Sequence, residues 1–459
     1  MQPKKQIFSP QLDMFRNRLE SILNHRHELY RLSGLIAWEV FEREFGKLYS
    51  EEGRPGMPIR LMVGLTYLSH AFNLSDEETV RRWVENPYHQ YFCGEEYFRH
   101  ELPIDPSSLS RWRKRIGEQG SELILKLTVE AGLASGAVAP ASLERVIVDT
   151  TVQEKAVAFP TDSRLYNRSR ERLVKLAAAW GIRLRQSYCR LGPQALLKVG
   201  RYLHARQRRR ASREIKRLKT YLGRVYRDIA RKIEDQQALH PVFLPELALA
   251  ERLLTQQRQD KNKLYSLHAP EVECISKGKA HKKYEFGVKV SVATTNRDNF
   301  VVGMLAAPGN PYDGHTLARA IEQVQRITGC PVGRSYVDRG YRGHKVKDLQ
   351  VLISGRRRGM TPQMKKELKR RSAVEPVIGH MKTDGKLGRN YLLGELGDKI
   401  NALLCGAGHN IRLILKKLRE ILLFLGLFAW VEKSPVLYLG LPCGHWHRRQ
   451  TENGFFMAD

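Results

Sequence analysis

The chain has 459 residues, 42% of them apolar, and sets 78 Lys/Arg against 48 Asp/Glu for a formal charge of +30. That length allows two or three domains with proper cores, and the apolar content excludes a disordered polypeptide. A charge so far from zero repels itself on compaction, so a polyanionic partner is implied, with nucleic acid the first candidate and a ribosome-associated or merely basic soluble protein the alternative. The cysteines Cys93, Cys189, Cys274, Cys330, Cys405 and Cys443 form no CxxC pair, which argues against a zinc finger or a disulfide scaffold. The opening MQPKKQIFSPQLDMF lacks the apolar core of a signal peptide, and the ILLFLGLFAW run at 421–430 is too short to span a bilayer. A cytoplasmic, nucleoid-associated protein with no membrane contact is expected.

In chain order, residues 1–50 read as helical and charged. After the break EEGRPGMPI, the segment from Ile59 to Tyr88 reads as two helices, with Ser75 placed to cap the second and Glu78 three residues on. The stretch PIDPSSLSRWRKRIG sets Leu109, Trp112 and Ile116 on one face of a short helix, while Arg111, Arg113, Lys114 and Arg115 crowd the rest. It reads either as the second helix of a helix-turn-helix, touching DNA through those four cations, or as an ordinary basic helix. Residues 1–135 are expected to form a helical DNA-binding or dimerisation domain.

The loop ASGAVAPAS leads to LERVIVDTT at 143–151, whose β-branched run suits a central strand ending at Asp149. Residues 161–270 interrupt the strand pattern as a basic helical insertion. Within it, 201–233 carries thirteen Lys/Arg, among them Arg208, Arg209 and Arg210, against two acids. Leu218, Leu222, Val225, Ile229 and Ile233 give that stretch an apolar stripe at helical spacing, so it packs on a neighbour and offers its charge to a DNA backbone. Strands follow at 282–295 and 300–309 around the turn NRDN, then an amphipathic helix at 315–329, a short strand ending at Asp338, and a helix at 363–389. Strands alternating with helices in this way describe an α/β domain with a mixed sheet over 143–160 and 271–410, followed by a C-terminal helix and tail at 411–459.

Asp149 and Asp338 each close an apolar run, and strand ends are where an α/β sheet collects catalytic groups. Taken singly, either is a cap, a salt-bridge partner or a metal ligand. In KRRSAVEPVIGHMKTDG, Arg371, Glu375 and Lys382 stack along one helical face. Two strand-end aspartates and a helix-borne glutamate can hold two divalent ions, since Mg²⁺ is hard and prefers oxygen, and converging carboxylates need cations. Arg356, Arg357 and Arg358 form a glycine-flanked basic loop suited to a phosphate backbone. Thr150, Thr151 and Lys155 are candidates to position water or phosphate near Asp149. Tyr341 has either a packing or a stacking role. CGHWH at 443–447 is a weak metal pattern and reads better as a packed or disordered tail.

The motifs DTTV at 149–152, DRGYRG at 338–343, and Arg371, Glu375 and Lys382 in their order and spacing resemble those of bacterial insertion-sequence transposases of the DDE type, in particular the group named insertion-sequence family five. The resemblance covers most of the chain: 40–117 looks like the helical domain of those proteins and 143–410 like their catalytic domain. It implies a ribonuclease-H-like fold in which Asp149, Asp338 and Glu375 are catalytic and bind two Mg²⁺, with Mn²⁺ able to substitute. Arg371 and Lys382 would hold transposon-end phosphates. The implied partner is double-stranded DNA, as terminal inverted repeats and target DNA, engaged by a homodimer. Leu368 stands where related transposases often have a tyrosine, and the insertion departs from a minimal version of the fold. Two other functions remain beside transposition: a silent DNA-binding regulator derived from a transposase, and an endonuclease that cuts without joining.

Overall fold

The computed structural model of the chain describes residues 17–433 except positions 51, 54, 277–281, 348 and 356–358, and from residue 421 onward the backbone alone. The first part is helical throughout: α1 (Leu19–Ile22), α2 (Glu28–Ser33), α3 (Trp38–Gly46), α4 (Ile59–Ala71), α5 (Asp76–Glu85), α6 (Pro87–Phe92) and α7 (Ser107–Ala134). α4 is apolar on nearly all sides and is buried on nearly all sides. Ser75 caps α5, its hydroxyl accepting from the Glu78 amide at 3.1 Å, as the sequence pattern expects. In α7 the stripe of Leu109, Trp112 and Ile116 is buried. Gly117, at φ 61° and ψ −158°, then breaks the helix, so the basic turn before it is set at its own angle to the longer part.

β1 (Arg145–Glu154) follows, then the insertion as α8 (Asp162–Ala179), α9 (Leu191–His204), α10 (Arg208–Ile233) and α11 (His240–Thr255). The sheet resumes with β2 (Glu273–Ile275), β3 (Glu285–Thr295), β4 (Val301–Ala307), α12 (Asp313–Thr328), β5 (Arg334–Val337) and β6 (Gln350–Ile353). The chain closes with α13 (Pro362–Lys369), α14 (Val374–Thr383) and α15 (Gly394–Lys433). The mixed six-stranded sheet runs β6-β5-β1-β3, with β4 and β2 both paired to β3. β1 is antiparallel to β3 and parallel to β5. β3 and β4 form the expected hairpin. Where β3 passes β1 the backbones approach so closely that a β-carbon on Gly287 would lie 1.9 Å from the Gln153 carbonyl oxygen.

Four expectations change. β1 does not end at Asp149 but runs to Glu154, because β3 pairs with it along that whole length. β2 and β6 were not foreseen; both are short strands held by edge pairing. The single helix expected over 363–389 is two helices separated by a tight turn at Arg370–Ala373. The boundary expected at 410/411 falls inside α15, which is continuous there.

One core joins α3, α4 and α7 to the sheet through residues such as Phe41, Leu65, Leu125, Val148, Val292 and Leu403. α15 packs against α7, α4 and β4 and so bonds the helical part to the sheet. The insertion has a core of its own, built on Leu173, Leu218, Leu222, Val225, Ile229, Phe243 and Leu253. Burying each such side chain contributes about 2 kcal/mol, enough for the four helices to pack on one another.

Candidate active site

The register between β1 and β5 builds the site rung by rung. Arg145 lies opposite Arg334 and Ile147 opposite Tyr336. Side chains alternate along a strand, so these four share one face of the sheet. Glu367 of α13 covers that face, accepting from Arg145 at 3.0 Å, from Arg334 at 3.2 Å and from the Tyr336 hydroxyl. Ile147 and Tyr336 pack there with Leu352, Met364 and Val374. Two residues further along each strand, Asp149 and Asp338 follow the same alternation, past the last paired rung at Ile147 and Tyr336. Although β1 continues, its ladder with β5 stops at Ile147, so both aspartates stand where the two strands separate.

Asp338 ends β5 and turns the chain, its carboxylate accepting from the Gly340 amide at 2.8 Å. Glu375 is the second residue of α14 and follows Val374, which is anchored in the small core under the same face. Arg371 connects the two sides: its guanidinium lies 3.7 Å from Asp149 and 3.4 Å from Glu375. The structure therefore links Asp149 to Glu375 through Arg371, with Asp338 directly after the neighbouring strand.

Tyr341, whose role the sequence leaves open, now has a place. Tyr341 is fully buried, so it packs and does not stack on a ligand. Burial, and after it the charges of Asp149, Asp313 and Asp338, push its hydroxyl well above the usual tyrosine range. Asp313, which sequence reasoning missed, begins α12 behind the sheet, accepting from the Thr150 hydroxyl at 3.1 Å and from Lys289 at 2.9 Å. In the sequence it looks like any acid in a first helical turn.

Among the described residues, no group of three or more His, Cys, Asp or Glu side chains stands close enough to hold a metal ion as they are placed. The donor chemistry nonetheless fits a hard cation: Asp149, Asp338 and Glu375 offer oxygen alone, and the positive charge between two of them comes from Arg371.

Residues 17–115 match the family described as "Transposase domain (DUF772)", and residues 255–410 match "Transposase DDE domain". The chain belongs to the DDE transposases of insertion sequences. A Rhizobium meliloti protein, "Uncharacterized protein ORF8 in nfe locus", is 57% identical over 195 residues, covering 42% of this chain and 94% of that protein. No solved structure matches the chain. The second matched stretch includes Asp338 and Glu375, while Asp149 lies before it on β1.

The remaining candidates in this transposase separate by burial. Arg113 is not free to meet phosphate: it is buried, 6% exposed, and both its terminal nitrogens hold Asp76 of α5, one of them at 3.0 Å. Lys155 is likewise withdrawn, buried between Glu271 and Asp398 at 2.8 Å each. Arg111, Lys114 and Arg115 are exposed, Arg111 resting on the hydroxyls of Ser107 and Ser108 and Arg115 over the Tyr49 ring. Arg208, Arg209 and Arg210 are exposed at the start of α10. Lys382 is two turns along α14 from Glu375 and 3.9 Å from Glu285, on the wall of a cleft of about 800 Å³ that α14 and its following turn form with the helical part. Arg356, Arg357, Arg358 and the CGHWH stretch lie outside the described residues. No helix among the described residues is long and apolar enough to cross a membrane.

Proposed function

We propose that this transposase, a member of insertion-sequence family five, binds the terminal inverted repeats of its element, cleaves DNA phosphodiester bonds and joins the 3′ ends to target DNA. Asp149, Asp338 and Glu375 are its catalytic carboxylates and hold two divalent cations, Mg²⁺ or Mn²⁺. When bound, such a pair supplies Lewis-acid activation of a water or 3′ hydroxyl and stabilises the leaving oxygen. The chain's own part is positional. Asp149 and Asp338 come from two neighbouring strands, each just beyond the last rung that pairs them. Glu375 stands on a separate helix with its side chain 65% exposed, free to turn towards the aspartates. Arg371 offsets the repulsion among them and reaches a strand phosphate once the carboxylates are otherwise neutralised. Lys382, Arg356, Arg357 and Arg358 continue the phosphate contacts around the centre. Arg111, Lys114 and Arg115 of the helical part and Arg208, Arg209 and Arg210 of the insertion hold the flanking duplex. Synapsis of two ends calls for a dimer.

The observation that supports this reading is the contact of Arg371 with both Asp149 and Glu375, beside the last rung between the strands that lead to Asp149 and Asp338. The test is cleavage and joining of a labelled duplex carrying the element's ends, with Mg²⁺ or Mn²⁺, by the wild type and by Asp338→Asn. The wild type is expected to nick at the end and form joined product, while the variant binds the duplex and leaves it intact. Equal cutting by both would remove Asp338 from the centre.

A further inference from the structure

The insertion carries 26 Lys/Arg and 9 Asp/Glu over residues 161–270, +17 of the chain's +30. At its base, where the chain leaves β1 and returns to β2, is a hollow of about 330 Å³ whose walls include Phe159, Arg164, Arg168, Arg172, Lys175 and Tyr265. The four cations are spaced four, four and three residues apart, so they form one stripe along α8. The opposite side of α8, with Tyr166, Leu173 and Ala177, is buried in the insertion's core.

These cations are not all committed to the fold. Arg172 is held by Glu246 and by the Leu267 carbonyl. Arg164, Arg168 and Lys175 are exposed and form no ion pair among the described residues. Glu171, the acid on the wall, is drawn towards Arg170 and Asn167. Beside the stripe, Phe159 is 61% exposed, and its ring stands edge-on to Phe286 at 5.4 Å. Tyr265 packs on the same Phe286 at 5.5 Å, so the exposed ring is fixed from beneath.

A fixed, exposed aromatic face next to unpaired cations is the arrangement that binds an unpaired nucleotide: the ring stacks on the base and the cations take the backbone. An intact duplex, with its bases already stacked inside, makes no use of the ring. An apolar ligand makes no use of the cations. The hollow is also of nucleotide-scale volume, at the small end for ligand sites.

We propose that this hollow holds an unpaired segment of the DNA strand engaged by the transposase, with a base on Phe159 and phosphates on Arg164, Arg168 and Lys175. The proposal rests on the DNA-processing reading given above. β1 connects the two places: from Asp149 to Glu154 it advances about 17 Å, so a strand at the carboxylates reaches the hollow within several nucleotides. The insertion thereby keeps apart a strand that cleavage or end opening has freed from its complement.

The experiment compares, with the full-length protein, a blunt duplex and the same duplex with a short single-stranded tail bearing 2-aminopurine. Wild type is expected to prefer the tailed probe and to quench the 2-aminopurine by stacking. Phe159→Ala should reduce the tailed-to-blunt affinity ratio about tenfold, in keeping with stacking of one base, and abolish the quench; Phe159→Trp should retain both. Arg164→Gln with Arg168→Gln should lower the salt dependence of tailed-probe binding by about 0.7 per lost phosphate contact. A wild type blind to the tail, or an unchanged ratio in Phe159→Ala, overturns this proposal alone. Failure of the wild type to bind either probe overturns it together with the DNA-processing reading.

Discussion

Glu367 holds the rungs that precede Asp149 and Asp338 on β1 and β5, and its chemistry shows how much of the site is maintained by one residue. Burial works against its charge, but hydrogen bonds from Tyr336 and Gln363 and the charges of Arg145 and Arg334 outweigh it, so its carboxyl titrates below the usual range. A depressed acid of this kind contributes stability that is present above its unfolded pKa and is lost as pH falls through the folded value. Glu367→Gln keeps the shape and removes the charge, leaving Arg145 and Arg334 facing each other across the strands. Because those arginines are partly exposed, at 39% and 31%, solvent screens the loss, and a cost of about 1–2 kcal/mol is expected in a denaturant titration. Cleavage should fall as well, since Asp149 and Asp338 lie just beyond those rungs. A variant with full activity and an unchanged midpoint would show that the rungs are held by backbone pairing alone.

At the scale of elements, Lys155 ties three of them together. It follows β1 directly and is only 3% exposed; Glu271 belongs to the return from the insertion and Asp398 to α15. Burial holds the Asp398 carboxyl above the usual carboxylate range, and Lys155 offsets part of that rise. Lys155→Met would leave two buried carboxylates facing each other and cost about 3–5 kcal/mol, read as a lower urea midpoint and as earlier proteolysis at the base of the insertion. Protection there equal to wild type would mean the junction does not depend on the ion pairs. Other elements carry local signals in the sequence: the cap of α5, the stripe of α10 and the β3–β4 hairpin extend over enough residues to be read. β2 and β6, of three and four residues, are too short for any period and exist through their neighbours. Arg113 looked like its basic neighbours because its partner, Asp76, is on another helix, and Asp313 looked like a helix-start acid because Lys289 and Thr150 reach it only across the sheet. The three candidate acids are recognisable by motif, whereas the contact of Arg371 with Asp149 is not, because distance is not written in spacing.

Across the whole molecule, the core shared by the helical part and the sheet encloses imidazoles that fold in the neutral form. Burial, reinforced by Arg82, takes His89 from the usual 6.5 to about 4, and burial with Arg412 does the same to His409. His70 is lowered in the same sense by burial and by Lys386. Their folded values lie below their unfolded ones, so between about 6.5 and about 4 the unfolded chain binds more protons than the folded one. Stability must therefore fall as pH drops through that window and be complete above it. The net charge of +30 adds to the effect, because self-repulsion grows as carboxylates are protonated, but salt screens that part and leaves the buried imidazoles untouched. Urea midpoints measured at high salt should still decrease from neutral pH to about pH 5. His89→Gln, with its amide replacing a titrating ring, should flatten the decrease even if its midpoint at neutral pH is lower. A midpoint independent of pH at high salt would mean that the imidazoles find water or counter-charge within the folded core, and that the acid sensitivity of this transposase comes from its surface charge alone.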